Sequence, residues 1–149
     1  MIEKLRQLFE SPGSDNTQTS DHDIHLAALT LCVELARADG ERQLPEVETI
    51  VTIATETFDL SVEEAGDLLK QAELEANSAT DLFDFTDLIN RKLDKPDKHK
   101  LIESLWRVAY ADGTLDRYED HLIRKIADLI YVSHSDFIRI KHAVSAASD

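Results

Sequence analysis

The chain has 149 residues, of which 42% are hydrophobic and 31% charged, and this composition suits one folded domain that needs no disulfide or metal staple. Its formal net charge of −14 repels phosphate backbones and anionic lipid, which excludes nucleic acid as an expected partner and favours cations and proteins with basic faces. The single cysteine, Cys32, excludes an internal disulfide and fits a reducing compartment, so we expect a cytoplasmic protein.

The first ten residues, MIEKLRQLFE, predict a short amphipathic helix whose apolar face holds Ile2, Leu5, Leu8 and Phe9. They lack the apolar core of a signal peptide, and no run in the chain approaches the roughly 20 apolar residues that span a bilayer. We expect this face to dock on the main domain, with peripheral membrane association as the alternative. Residues 11–23 contain one proline, one glycine and no large apolar side chain, which predicts a flexible polar linker.

From Ile24 onward, apolar residues recur at helical spacing in seven segments, and no segment alternates with a period of two. Helix starts are marked by capping boxes, for example Ser61 with Glu64 and Ser133 with Asp136. We therefore predict one all-α domain over residues 24–147, a compact bundle of about seven helices.

The domain also repeats itself with an offset of 73 residues, since LARADG at 35–40 matches VAYADG at 108–113. The repeat units cover about 25–77 and 98–146, and the helix near 81–93 is a connector. Two such units would pack about a pseudo-two-fold axis, each covering the apolar face of the other. The matched pairs after the Asp-Gly turns are Glu46 with Glu119, Ile50 with Ile123, Ile53 with Ile126, and Ala54 with Ala127.

Each unit carries an Asp-Gly turn, five further residues and a glutamate, from Asp39 to Glu46 and from Asp112 to Glu119. The spacing places both aspartates at helix C-termini, where the dipole disfavours a carboxylate, so a cation would offset the cost. Together with Asp116, these carboxylates and the turn carbonyls predict a metal site with hard oxygen ligands, for Ca²⁺ or Mn²⁺ rather than Zn²⁺. The alternative is that the glutamates cap helices and the aspartates belong to a solvated acidic loop.

The segments LARADG…PEVETI and VAYADGTLDRYEDHLIRKIADLIYVS resemble the TerB-like (tellurite-resistance protein B-like) family, and the resemblance covers roughly 24–145. It implies an all-helical fold whose acidic turns, here Asp39, Glu46, Asp112 and Glu119, bind metal and serve stress-response complexes associated with the membrane. The first turn departs from the second, because Gln43-Leu44-Pro45 stands where the second has Asp116-Arg117-Tyr118. That difference puts an equivalent pair of sites in doubt, and the family name alone does not establish tellurite resistance.

The sequence contains no nucleophile elbow, no phosphate-binding loop and no cysteine pair, so it supports no common catalytic framework. We therefore expect a non-enzymatic binding protein for a divalent cation or a basic protein, of undetermined oligomeric state. The alternatives are a metal-dependent enzyme that uses the same carboxylates and a structural adaptor that binds no metal.

His22 and His25 form a weak candidate zinc pair, while Cys32 and Trp106 are expected in the core.

Overall fold

A computed structural model describes residues 17–37, 44–78, 82–111 and 117–148. These residues form seven helices and no strand, which confirms the predicted all-α class. None of the described helices has both the length and the apolar character needed to cross a membrane. The helices are α1 (Thr17–Ala36), α2 (Leu44–Thr57), α3 (Val62–Ser78), α4 (Leu82–Lys92), α5 (Lys95–Ala109), α6 (Arg117–Leu129) and α7 (His134–Ser148).

The first helix begins earlier than its sequence predicts, at Thr17 instead of Ile24. Residues 17–23, about half of the predicted 11–23 linker, are therefore helical. Asp23, in this added part of α1, is 3% exposed, so the end of the extension next to Ile24 packs against the domain. The predicted helix over 1–10 and the remainder of the linker lie outside the described residues.

Helix α1 occupies the centre of the bundle and contacts α2, α3, α4, α5 and α6. Its second half is buried around most of its circumference, with Leu29, Leu31, Val33 and Leu35 all at 0% exposure and only Glu34 partly exposed. A helix that is apolar around most of its circumference requires neighbours on most of its faces, unlike an amphipathic surface helix. The buried polar residue in this stretch, Thr30, donates its hydroxyl to the carbonyl of Leu26 at 2.7 Å, so its burial leaves no donor unmet.

The helix boundaries follow the 73-residue repeat. Helices α1 and α5 end at matching positions, Ala36 and Ala109, and α2 and α6 begin at matching positions, Leu44 and Arg117. The contacts between units are reciprocal, since α2 packs against α5 and α6 packs against α1. Within each unit the first helix packs against the third, as α1 on α3 and as α5 on α7. The pseudo-two-fold axis itself stays a prediction.

Local polar contacts fix where several helices begin. Ser61 and Glu64 form the predicted capping box, in which each backbone amide donates to the side chain of the other residue at 3.0 Å. Asp94 caps α5 by accepting from the amide of Asp97 at 3.1 Å, and the Ser133 hydroxyl accepts from the amide of Asp136 at 3.2 Å. These contacts satisfy amides that have no partner within the helix.

Two helices end in a left-handed residue that is not glycine. Asp59, after α2, has φ 58°, and Tyr131, after α6, has φ 63°. The chain then turns back on the helix, with the Leu60 amide donating to the Ala54 carbonyl at 3.3 Å and the Val132 amide to the Ala127 carbonyl at 2.9 Å. Aspartate tolerates this backbone region, whereas tyrosine adopts it at a cost of roughly 1–2 kcal/mol.

Removal of the Ser61 hydroxyl should destabilise the fold. We expect Ser61→Ala to lower the free energy of unfolding by about 1 kcal/mol, because the Glu64 amide loses its acceptor. For a chain of this length the loss corresponds to a fall of about 2–4 °C in the melting temperature, measured by circular dichroism. Ser135→Ala, at an exposed serine inside α7, is the matched control and should leave the melting temperature unchanged. Equal shifts in both variants would contradict the capping role.

The same capping box should make stability depend on pH. Hydrogen bonds from the backbone and then the hydroxyl of Ser61 hold the pKa of Glu64 below its ordinary value. The ionised carboxylate therefore stabilises the fold above about pH 4.5, the ordinary glutamate value, and this contribution is lost as the pH falls through the lowered pKa. Urea unfolding should show wild type more stable than Glu64→Gln at pH 7 and equal to it near pH 3. A difference independent of pH, or one shared by Glu63→Gln, would contradict this assignment.

Candidate functional site

The predicted metal-site residues fall largely outside the described part of the chain. Asp39, Asp112 and Asp116 lie beyond it, and Glu46 is described only as a backbone position in the first turn of α2. Glu119 is described fully and lies in the first turn of α6, as predicted. The ligand set as a whole therefore stays a prediction.

The ends of α1 and α5 bear on the premise that the aspartates of the Asp-Gly turns lie at helix C-termini. Helices α1 and α5 stop at Ala36 and Ala109, each three residues before the aspartate of its turn. After α5, the amides of Tyr110 and Ala111 still donate to the carbonyls of Trp106 and Val108, at 2.9 and 3.2 Å. Both helices therefore end before the aspartates of the Asp-Gly turns, so the described residues do not support the premise that these carboxylates lie in a last helical turn.

Glu119 is the member of the predicted ligand set whose side chain the structure describes. Its side chain is 3% exposed, although α6 is otherwise strongly amphipathic and its neighbour Tyr118 is 67% exposed. A glutamate is rarely buried to this degree unless a partner compensates its charge. The next residue, Asp120, faces the opposite helix, where its carboxylate pairs with the ammonium of Lys141 at 3.4 Å. The first turn of α6 therefore directs one carboxylate inward and the other toward α7.

A groove of about 470 Å³ connects the two repeat units near the second Asp-Gly turn. Its lining includes Thr49 of α2, and Tyr110 and Ala111, the first two residues after α5. Thr49 is three residues after Glu46, and Ala111 directly precedes Asp112. The packing of α2 on α5 therefore brings the beginning of α2 in the first unit toward the end of α5 in the second.

The histidine pair does not form a metal site with other described residues. His25 stacks its ring on Phe58, with ring centroids 4.2 Å apart and planes 12° from parallel, and burial lowers the pKa of the imidazole. Within the described ranges, no group of three or more His, Cys, Asp or Glu side chains is arranged to hold a metal ion. The predicted zinc pair therefore lacks support.

A second cavity, which the sequence did not predict, lies between α1, the end of α2 and α5. It has a volume of about 280 Å³, an apolar floor that includes Cys32 and Leu101, and a polar rim with Asp97 and Lys100. Burial, and then the neighbouring carboxylate of Asp94, raise the pKa of Asp97. No local motif could reveal this cavity, because its walls come from helices far apart in the chain.

Cys32 is part of the core, as predicted. Its side chain is 1% exposed, and burial raises the pKa of the thiol to about 12. The thiolate that reacts with electrophiles is therefore scarce at neutral pH.

We expect Cys32 to resist iodoacetamide at pH 8 in the folded protein. Burial excludes the reagent, and the raised thiol pKa leaves almost no thiolate. Intact-mass measurement should show full labelling only after unfolding in guanidinium. Labelling of the folded chain at the rate of the unfolded chain would contradict the buried position.

Comparison with known proteins gives one match. A family model described as tellurite resistance protein TerB matches residues 25–142, well over half of the chain. No curated protein and no solved structure matches significantly.

Proposed function

The chain belongs to the TerB family, and from this premise we propose that it is a non-enzymatic binding protein whose two Asp-Gly turns bind a divalent cation or a basic protein surface. The proposed ligands are Asp39, Glu46, Asp112, Asp116 and Glu119. The proposed setting is a cytoplasmic stress response of the tellurite-resistance type.

Burial of Glu119 is the observation that carries the proposal. At 3% exposure its carboxylate has lost most of its hydration, and this loss costs several kcal/mol unless a cation or hydrogen-bond donors replace the water. A helix N-terminus supplies part of that compensation through its dipole and its free amides. In this proposal a cation shared with the Asp-Gly turns adds to the compensation that the protein's own groups provide.

The chemistry of the proposed ligands favours a hard cation. All five side chains are carboxylates, and the turns add backbone carbonyls, which is the donor set that Ca²⁺ and Mn²⁺ prefer over Zn²⁺. The groove lined by Thr49 and Ala111 supports a contribution from both repeat units, because the first is near Glu46 and the second adjoins Asp112. A site shared between units would compensate for the carboxylate that the first turn lacks.

The proposal gives the one cysteine no catalytic role. The Cys32 thiol is buried with a pKa of about 12, so it is unsuited to nucleophilic catalysis. The binding part is supported by the net charge of −14, which raises the local concentration of cations and steers basic partners toward the surface.

Calorimetric titration with Ca²⁺, Mn²⁺ and Zn²⁺ tests the cation site. We expect saturable binding of Ca²⁺ or Mn²⁺ to wild type, weakened more than about 10-fold in the double variant Asp112→Asn with Glu119→Gln, because both substitutions remove a charged ligand. Thermal unfolding of the double variant must remain cooperative, since Glu119 is buried.

The control is Glu63→Gln with Asp67→Asn, which removes the same charge from exposed positions on α3. It should bind the cation as wild type does. If cation affinity fell equally in both double variants, the cause would be the change in net charge, and the proposed ligands would be contradicted. Absence of saturable binding to wild type would refute the cation site and leave the basic protein as the proposed ligand.

A further inference from the structure

Tyr131 combines an unfavourable backbone with an exposed ring. Its φ of 63° lies in the left-handed region, which glycine adopts freely and a tyrosine does not, yet the side chain is 81% exposed. Burial of this ring is too small to offset the free-energy cost of the left-handed backbone conformation. Strained residues of this kind are concentrated at binding sites, where the side chain is needed for contact with another molecule.

The ring stands at the edge of a small groove between α4 and α6. The groove has a volume of about 130 Å³ and is lined by a second exposed aromatic ring, Phe83, and by the carboxylates of Asp87 and Asp128. Asn90 forms part of its wall and donates to the carbonyl of Leu129 at 2.8 Å, which ties α4 to the end of α6. We call this set of side chains the α4–α6 groove.

The lining is suited to a planar cation. Two aromatic rings offer negative faces, two carboxylates offer charge, and Asn90 holds a buried amide oxygen that accepts no hydrogen bond from the described residues. Two cationic side chains of the protein itself already contact residues of this groove. Lys98 places its ammonium 5.8 Å from the centre of the Tyr131 ring, and Arg91 donates to Asp87 at 3.0 Å.

We propose that the α4–α6 groove docks an arginine side chain of a basic partner protein. The guanidinium stacks on the Tyr131 ring and pairs with Asp128, and its stem packs along Phe83. Arginine fits better than lysine because its planar group can stack on a ring and bind a carboxylate at the same time. The size of the groove suits one side chain. This site is separate from the Asp-Gly turns and does not rest on the function proposed for them.

The substitution Tyr131→Gly distinguishes an effect on arginine binding from an effect on the stability of the fold. Tyr131→Gly removes the ring without changing the net charge, and it places glycine where the backbone favours it, so we expect the melting temperature to rise by about 2–4 °C. Binding of arginine should weaken about 3- to 30-fold, the range of a cation–π contact. Tyr131→Phe keeps the ring and should bind as wild type does.

The probe is a short blocked peptide with two arginines in a glycine-serine background, titrated into ¹⁵N-labelled protein and followed by backbone amide shifts. We expect saturable shifts near Phe83, Asn90 and Tyr131, and no saturation with a peptide that has glutamine in place of arginine. Tyr118→Ala is the matched control, because it removes another exposed tyrosine ring without changing the net charge and should leave peptide binding unchanged. Shifts spread over the whole acidic surface, or equal affinity in Tyr131→Gly, would overturn the proposal.

Discussion

The fold depends on the burial of α1. Its second half is apolar around most of its circumference, and a helix of this kind is stable in water only when other helices cover its apolar surface. The covering helices come from both repeat units, since α2 and α3 precede the connector α4 while α5 and α6 follow it. The repeat is therefore not a pair of independent modules, because the central helix of the first unit takes part of its core from the second.

This central position explains which features of the fold could be predicted from the sequence. Amphipathic helices such as α6 reveal their length and buried face by spacing alone, and capping residues such as Ser61 and Asp94 mark where helices begin. The start of α1 precedes the predicted one, because residues 17–23 are polar and carry no apolar periodicity that would indicate a helix. Local propensity is a weak guide where tertiary contacts decide.

The candidate site was predictable only in part. The repeat identified Glu119, and the structure adds that its carboxylate is buried, which no local pattern indicates. The stacking of His25 on Phe58 and the grouping of Phe83 with Tyr131 join residues more than 30 positions apart in the chain. Only the tertiary fold brings the members of each pair together. The left-handed backbone conformation of Tyr131 could not be predicted from the sequence either, because tyrosine rarely adopts it.

The dependence of α1 on both units has a consequence for synthesis in the cell. On the ribosome α1 emerges before α5 and α6, so its apolar surface stays partly uncovered until most of the domain has been translated. Contacts this distant in sequence also slow the search for the native arrangement. The nascent chain therefore passes through an interval in which its most hydrophobic helix is available to chaperones or to other nascent chains. Its strong negative charge, by keeping such chains apart, would limit aggregation during that interval.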